Sequence, residues 1–236
     1  MTNSHYIGCA GWALPRAAID SFPAEGSHLE RYAAVFNAVE INSSFYRPHQ
    51  PKTYAKWASA TPPHFRFAVK LPKAITHEAK LVGAEEALAR FAGEVEGLGE
   101  KLGCILVQLP PKLALDTTAA GAIFAALHAR FDCLIACEAR HASWFEETGT
   151  QLLRDAGVTR VLADPAVAYT GPFVPTAETA YVRLHGSPRI YYSSYEEQRL
   201  WDVHAWLAQQ DAAWCIFDNT ASGAAVPDAL ALRAMG

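Results

Sequence analysis

The feature that most constrains the fold is a series of eight short apolar runs, rich in β-branched and aromatic residues, that recurs along the whole chain. Runs of this length and composition, separated by polar or helix-forming stretches, are typical of buried β-strands. We therefore predict eight strands. They occupy residues 6–11, 38–43, 66–71, 104–109, 134–140, 160–164, 181–186 and 214–219.

The segments between these runs carry signals that start helices. Ser27 to Glu30 and Ser194 to Glu197 have the spacing of a capping box, in which the hydroxyl and the carboxylate each accept a free backbone N–H. Pro51 suits the first position of a helix, because its missing N–H has no partner there in any case. We expect a helix after each of these signals.

Strands that alternate with helices indicate parallel βαβ units. Eight such units in 236 residues, without a linker-like stretch, predict a single (β/α)8 barrel of the TIM type over residues 1–236. A doubly wound open sheet is the alternative fold. Its phosphate-binding GxGxxG pattern does not follow the first strand.

Charge and composition limit the classes of partner that the chain can be expected to bind. The chain is 51% hydrophobic with a formal net charge of −4, so we expect no general attraction to nucleic acid or to a membrane surface. No apolar run approaches the roughly 20 residues that span a bilayer, and the N-terminus lacks a signal-peptide pattern. The five cysteines form no CxxC pair, and four lie in apolar runs, which predicts a reducing, cytoplasmic location. Nothing in the sequence indicates an oligomeric state.

Polar residues cluster at the ends of the predicted strands and in the loops that follow, where barrels of this type hold their reacting groups. The candidate catalytic residues are Glu40, Lys70, Glu138, Asp164, His185 and Asp218. The candidate substrate-binding residues are Asn42, Tyr46, Gln108, Arg140, His141, Arg183, Ser187, Tyr192, Asn219, Ser222 and Gly223.

Strand side chains alternate between faces, so residues two positions apart point to the same side. Charged side chains are seldom buried unless they are paired, and a convergence of both signs therefore needs a reason. One reason is a ligand site. The other is structural: Glu40 could pair with Lys70, and Glu138 with Arg140, to plug the barrel.

Six motifs of the chain match a known family, and they lie at residues 7–12, 39–78, 106–111, 137–145, 181–188 and 217–225. Through them the chain resembles the YecE-like proteins, a family also known as domain of unknown function 72. This resemblance implies a TIM-type barrel and brings no established activity. At the last strand family members tend to read Phe-Asn-Asn, whereas this chain has Phe217-Asp218-Asn219, which adds a carboxylate.

The first functional hypothesis is an enzyme acting on a small anionic molecule. Arg140 and Arg183 could fork onto its oxygens. The small residues Ser187, Ser222 and Gly223, in the loops after strands seven and eight, would let an oxyanion approach the backbone.

General acid–base chemistry follows from the same hypothesis. Glu138 or His185 would be the general base, and Lys70 an electrophilic stabiliser or a Schiff-base amine.

Two alternatives remain. A divalent-metal hydrolase or isomerase would use His185 and the carboxylates as ligands, although no HExxH pattern exists and nearby cations would repel the metal. A non-catalytic barrel that binds a ligand or nucleic acid would use the locally basic segment 64–80, against the acidic balance of the chain. No cofactor is predicted by the first hypothesis.

Overall fold

The computed structural model describes residues 4–166, 171 and 173–236, and it shows a closed barrel of eight parallel strands. Each strand pairs with the next along the chain, and the last pairs with the first. The predicted (β/α)8 barrel is confirmed, and the open sheet is excluded. The strands are β1 (Ser4–Ala10), β2 (Ala38–Ile41), β3 (Arg66–Lys70), β4 (Leu102–Gln108), β5 (Leu134–Glu138), β6 (Thr159–Asp164), β7 (Ala180–Leu184) and β8 (Ala212–Phe217).

Helices follow seven of the strands, while the described residues between β6 and β7 contain none. Three 3-10 segments (Arg16–Ser21, Glu96–Lys101 and Ala142–Phe145) and a π-helical turn (Ala74–Glu78) complete the connections. No helix in the described part of the chain has the length and apolar character needed to cross a membrane. The α-helices are α1 (His28–Ala33), α2 (Ser43–Tyr46), α3 (Pro51–Ser59), α4 (Glu85–Val95), α5 (Thr117–His128), α6 (Glu147–Asp155), α7 (Glu197–Leu207) and α8 (Ala225–Ala234).

Two of the three predicted helix starts are confirmed. At α1 the backbone N–H of Glu30 donates to Ser27 Oγ at 3.3 Å, and that of Ser27 donates to Glu30 Oε2 at 2.7 Å. Pro51 is the first residue of α3. The capping box predicted at Ser194 is wrong, because α7 begins at Glu197 without a side-chain cap.

The lumen of the barrel is filled by side chains that alternate with those facing the helices. Trp214 lies between two tyrosine rings, Tyr6 at 4.7 Å and Tyr181 at 5.9 Å between ring centroids. This packing fills the lumen below the polar end of the barrel, so the polar strand ends lie directly above a layer of apolar side chains. The buried members of this inner core are Ala38, Ala68, Cys104, Leu106, Ala136, Val161, Tyr181, Trp214 and Ile216.

All five cysteines are free, and Cys9, Cys104, Cys137 and Cys215 are buried. Burial raises the pKa of the Cys9 thiol to about 12, which keeps it neutral and unreactive. The prediction that these cysteines act as small apolar side chains agrees with this placement.

Candidate functional site

Arg183 is fully buried at the end of the barrel formed by the carboxyl ends of the strands, called the mouth below. Its Nε and Nη2 donate to the two oxygens of Glu40 at 3.0 and 2.7 Å. Its Nη1 donates to Glu138, and Nη2 also donates to Asp218 at 2.9 Å. We predicted that Arg183 would bind a ligand anion through two of its nitrogens. All three nitrogens instead donate to carboxylates of the protein.

The acidic partners of Arg183 have further contacts. The Tyr181 hydroxyl donates to Glu40 at 2.9 Å, and Arg140 Nε donates to Glu138 at 2.8 Å. The predicted pair of Glu138 with Arg140 is thus confirmed. The charges form one buried network, called the charged cluster below. It consists of Glu40, Glu138, Arg140, Arg183, His185 and Asp218.

The carboxylates of the charged cluster stay ionised despite their burial. Burial acts to raise the pKa of Glu138, but the charge of Arg183 and the nearby His185 and Arg140 hold it well below its ordinary value. The pKa of Asp218 is lowered for the same reasons, against burial and the repulsion of Glu138. Both groups are therefore anions across the neutral range.

His185 is buried between two of these carboxylates. Its Nδ1 bonds Asp218 Oδ2 at 3.0 Å, while Nε2 lies 3.4 Å from Glu138 Oε1 without forming a hydrogen bond. Burial acts to lower the pKa of the imidazole, but the bond to Asp218 and the Glu138 carboxylate outweigh it and raise the pKa. The result is an oriented imidazole whose second nitrogen is buried and faces the Glu138 carboxylate.

Lys70 ends β3 and is 8% exposed at the mouth. Among the described residues its ammonium has no hydrogen bond and no carboxylate at ion-pair distance; the predicted pair with Glu40 is not formed, since Glu40 binds Arg183. The ammonium instead lies 4.3 Å from the centre of the Phe45 ring. Burial lowers the pKa of Lys70 and the charge of Arg183 lowers it further, against the opposing effect of the carboxylates in the charged cluster.

Four predicted binding residues differ in their distance from the charged cluster. Asn42 Nδ2 donates to Asp218 Oδ1 at 3.3 Å, while its buried Oδ1 has no partner in the described residues. Gln108 is buried at the end of β4, in register with Glu138. Tyr46 is 78% exposed and rests on Phe45. His141 bonds Ser143 at 2.9 Å and shows no contact with the charged cluster.

In the loops after β7 and β8, several backbone amides donate hydrogen bonds to carbonyls of the same two loops. Those of Ala221 and Gly223 donate to Tyr191 and Thr220 carbonyls, and the Ser222 hydroxyl donates to the Tyr192 carbonyl at 2.5 Å. These groups are therefore occupied before any anion arrives. Ser187 is exposed in the loop after β7.

Asn219 and Tyr192 hold these loops in place. Asn219 Nδ2 donates to the Ser193 carbonyl at 2.9 Å and to Asp228 at 2.7 Å, so its amide joins the two loops. Tyr192 is half-exposed, and Cζ of Arg189 lies over its ring, 3.9 Å from the ring centre. Neither side chain has a bond to the charged cluster.

The predicted placement of Asp164 in the mouth is wrong. Its carboxylate lies on the outer face of the barrel and accepts from Arg199 of α7 at 2.8 Å. The physical reason is strand alternation: Val161 belongs to the lumen core, so Asp164, three positions later, points the other way.

Two residues of the site were not among the predicted ones. Tyr181 is two positions before Arg183 on β7, so alternation places both in the lumen, and this pattern could have found it. Phe45, whose ring faces Lys70, lies in the short helix after β2, and no pattern in the sequence indicates that contact.

The charged cluster does not have the arrangement of a metal site. In the described part of the chain, no group of three or more histidine, cysteine, aspartate or glutamate side chains is placed to hold a metal ion. Of the predicted ligands, Glu40, Glu138 and Asp218 surround a guanidinium, and Asp164 lies outside the mouth.

Two concave surfaces flank the mouth. One, of about 420 Å³, is lined by Trp12, His28 and Asn42, and so reaches the residue that bonds Asp218. The other, of about 320 Å³, includes Phe45 and Lys73 on the far side of α2. A small molecule could reach the polar strand ends from the first surface.

The comparisons with known proteins agree with this architecture. A family model described as "Protein of unknown function DUF72" matches residues 6–236. The chain is 30% identical over 168 residues to the UPF0759 protein YecE of Escherichia coli strain K12, a match that covers 67% of this chain and 58% of that protein. It is also 25% identical to the UPF0759 protein YunF of Bacillus subtilis strain 168, covering 92% and 89%.

A solved structure gives the same result. The crystal structure of a DUF72 family protein from Thermotoga maritima MSB8 superimposes with a TM-score of 0.82 at 25% identity, covering 98% of each chain. Fold, family model and relatives thus agree with the motifs noted in the sequence. The chain belongs to the YecE-like DUF72 family.

Proposed function

We propose that the chain is an enzyme that acts on a small phosphate- or carboxylate-bearing molecule at the mouth, by general acid–base chemistry. The observation that carries this proposal is the state of Lys70, a mostly buried lysine whose ammonium reaches the surface of the mouth and has no hydrogen bond or ion pair in the described residues. A cation in so restricted a position is poorly hydrated, so an anionic group from a ligand would pair with it favourably.

The other cations of the mouth divide into two kinds. Arg183 is fully engaged by carboxylates and serves to hold them in place. Arg140 is partly exposed and binds Glu138 through Nε and Nη2, which leaves Nη1 without a partner among the described residues. We assign the anionic group of the substrate to Arg140 Nη1, and its reacting oxygen to Lys70.

Proton transfer falls to His185. Its Nδ1 bonds Asp218, which orients the ring, and the buried Nε2 faces Glu138 Oε1 at 3.4 Å. The raised pKa favours the imidazolium, which suits a general acid in the first step. Glu138, beside Nε2, would stabilise that charge without taking the proton.

The test is a melting curve of the purified full chain in rising concentrations of inorganic phosphate and, separately, of malonate. A ligand that binds only the native state stabilises it by about 2.7 kcal/mol at a hundred times its dissociation constant. We expect the wild-type melting temperature to rise with either anion, and the rise to disappear in Lys70→Met.

The matched control is Lys73→Met, which removes the same charge from an exposed side chain that pairs with Glu78 at 3.2 Å. It should keep the full response to phosphate. The proposal fails if wild type does not respond to either anion, or if Lys70→Met and Lys73→Met respond equally. Without ligand, Lys70→Met should melt no lower than wild type, because an unpaired buried charge is gone.

A further inference from the structure

The surroundings of Lys70 do more than attract an anion. The side chain is 8% exposed and extends from the end of β3 to the Phe45 ring, with no carboxylate of the described residues at ion-pair distance. The His77 ring packs on the same phenylalanine at 4.9 Å, so this side of the amine has aromatic walls. Apolar walls with a cation nearby are the conditions that activate a lysine as a nucleophile.

Burial favours the neutral form of the amine and is the main reason why the pKa of Lys70 is lowered. The charge of Arg183 acts in the same direction, while the carboxylates of the charged cluster oppose it without outweighing burial. The lysine thus differs from an ordinary ion-paired one, which would stay protonated. The same cations hold an anionic substrate beside it.

We propose that Lys70 forms a covalent imine with the carbonyl carbon of the substrate, which is therefore a small aldehyde, ketone or 2-oxo acid that carries the anionic group. This inference rests on the proposed function, since Arg140 is needed to orient the anionic end. It replaces the role of Lys70 as a cation that merely polarises an oxygen.

Imine formation at Lys70 passes through a carbinolamine. The neutral Lys70 Nζ attacks the carbonyl carbon and forms the C–N bond, while the carbonyl π electrons move to the oxygen. One proton passes from nitrogen to that oxygen and gives a carbinolamine. The His185 imidazolium donates a proton to the hydroxyl, which leaves as water as the nitrogen lone pair forms the C=N bond. Hydrolysis of the protonated imine reverses these steps and returns the proton to His185.

The experiment is reductive trapping on the full chain. The protein is incubated with pyruvate and sodium borohydride, which converts an imine into a stable secondary amine, and the modified lysine is located by peptide mass spectrometry. A parallel incubation uses glycolaldehyde phosphate, and another contains excess inorganic phosphate. We expect one adduct on Lys70, loss of that adduct in Lys70→Arg and Lys70→Met, and its retention in Lys73→Met.

The outcomes separate this inference from the proposed function. Labels spread over exposed lysines, Lys73 included, without preference for Lys70 would overturn the imine. If phosphate raises the melting temperature of wild type and neither probe labels Lys70, the anion site stands and the imine is rejected. If Lys70 is labelled and phosphate neither competes nor stabilises the protein, the imine stands and the anion site is rejected. A melting temperature of Lys70→Arg close to that of wild type, with the positive charge kept, would show that the loss of label is not a loss of fold.

Discussion

Arg183 carries its charge where water does not reach, and the carboxylates of Glu40, Glu138 and Asp218 surround it. Taking such a group out of water is unfavourable by several kcal/mol, and the pairs offset this only while all of them are present. The arrangement resembles the structural plug considered from the sequence, with a different cation at its centre. Arg183 therefore holds the carboxylates of the charged cluster in place, and the proposed chemistry rests on Lys70 and His185.

Replacing Arg183 by methionine should lower the free energy of unfolding by about 3–5 kcal/mol, because three buried carboxylates lose their counterion. Urea unfolding measures the change. Arg199→Met is the control, since its pair with Asp164 is at the surface and should contribute at most about 1 kcal/mol. A loss for Arg183→Met no larger than that of the control would contradict the buried network.

The raised pKa of His185 gives stability a pH dependence of known sign. Below the ordinary value of 6.5 the imidazole is charged in both states, and its contribution to folding is fully present. As pH rises through the raised folded pKa, the unfolded state has already lost its proton and the contribution disappears.

Urea unfolding of wild type and His185→Gln should therefore differ more at about pH 6 than at about pH 9. Asp218 and Glu138 give the opposite slope, because their lowered pKa values make their contribution disappear only on strong acidification. A difference between the two proteins that grows toward high pH would refute the assignment of His185 as an imidazolium.

At the scale of elements, the existence and order of the eight strands could be predicted, because each is an apolar run bounded by polar residues. It was harder to predict which strand-end side chains point into the lumen. On β5 and β7 the polar residues two positions apart indicate the lumen face. On β6 the polar residues Arg160 and Asp164 lie on the outer face, and Val161 belongs to the inner core. The polar ends of β6 therefore suggested the wrong face.

The loops after β7 and β8 are joined by Asn219, whose amide donates to Ser193 and Asp228. Asn219→Ala should destabilise the protein by about 1–3 kcal/mol, because the buried Asp228 carboxylate loses a donor. Thr220→Ala, on the exposed next residue, should be close to neutral. Thermal unfolding of both variants decides the point. Equal melting temperatures would mean that the loops are held by other contacts.

Closure of the barrel is what assembles the site at the scale of the whole molecule. The partners of Arg183 come from β2, β5 and β8, and Glu40 is 143 positions away in sequence. The sequence could indicate that these groups share one end of a barrel, since parallel strands finish together. It could not indicate which side chains form ion pairs, because that depends on how far each one reaches across the lumen. Glu40 pairs with Arg183, while Lys70 contacts the Phe45 ring and has no carboxylate at ion-pair distance in the described residues.

The packed lumen of the barrel also supports the charged cluster from below. Trp214, Tyr181 and the small lumen residues form a floor, and the charged cluster lies on it with its charges mostly paired. Among the described residues at the mouth, Lys70 Nζ and Arg140 Nη1 have no hydrogen-bond partner, while Nε2 of His185 is buried beside Glu138.

The most direct measurement of the central claim is a crystal structure of the full chain grown with inorganic phosphate. We expect phosphate at the mouth, with oxygens at hydrogen-bond distance from Lys70 Nζ and Arg140 Nη1, and Arg183 still bonded to its three carboxylates. A mouth without phosphate, at a concentration that raises the melting temperature, would contradict the claim, as would phosphate bound at any other surface of the barrel.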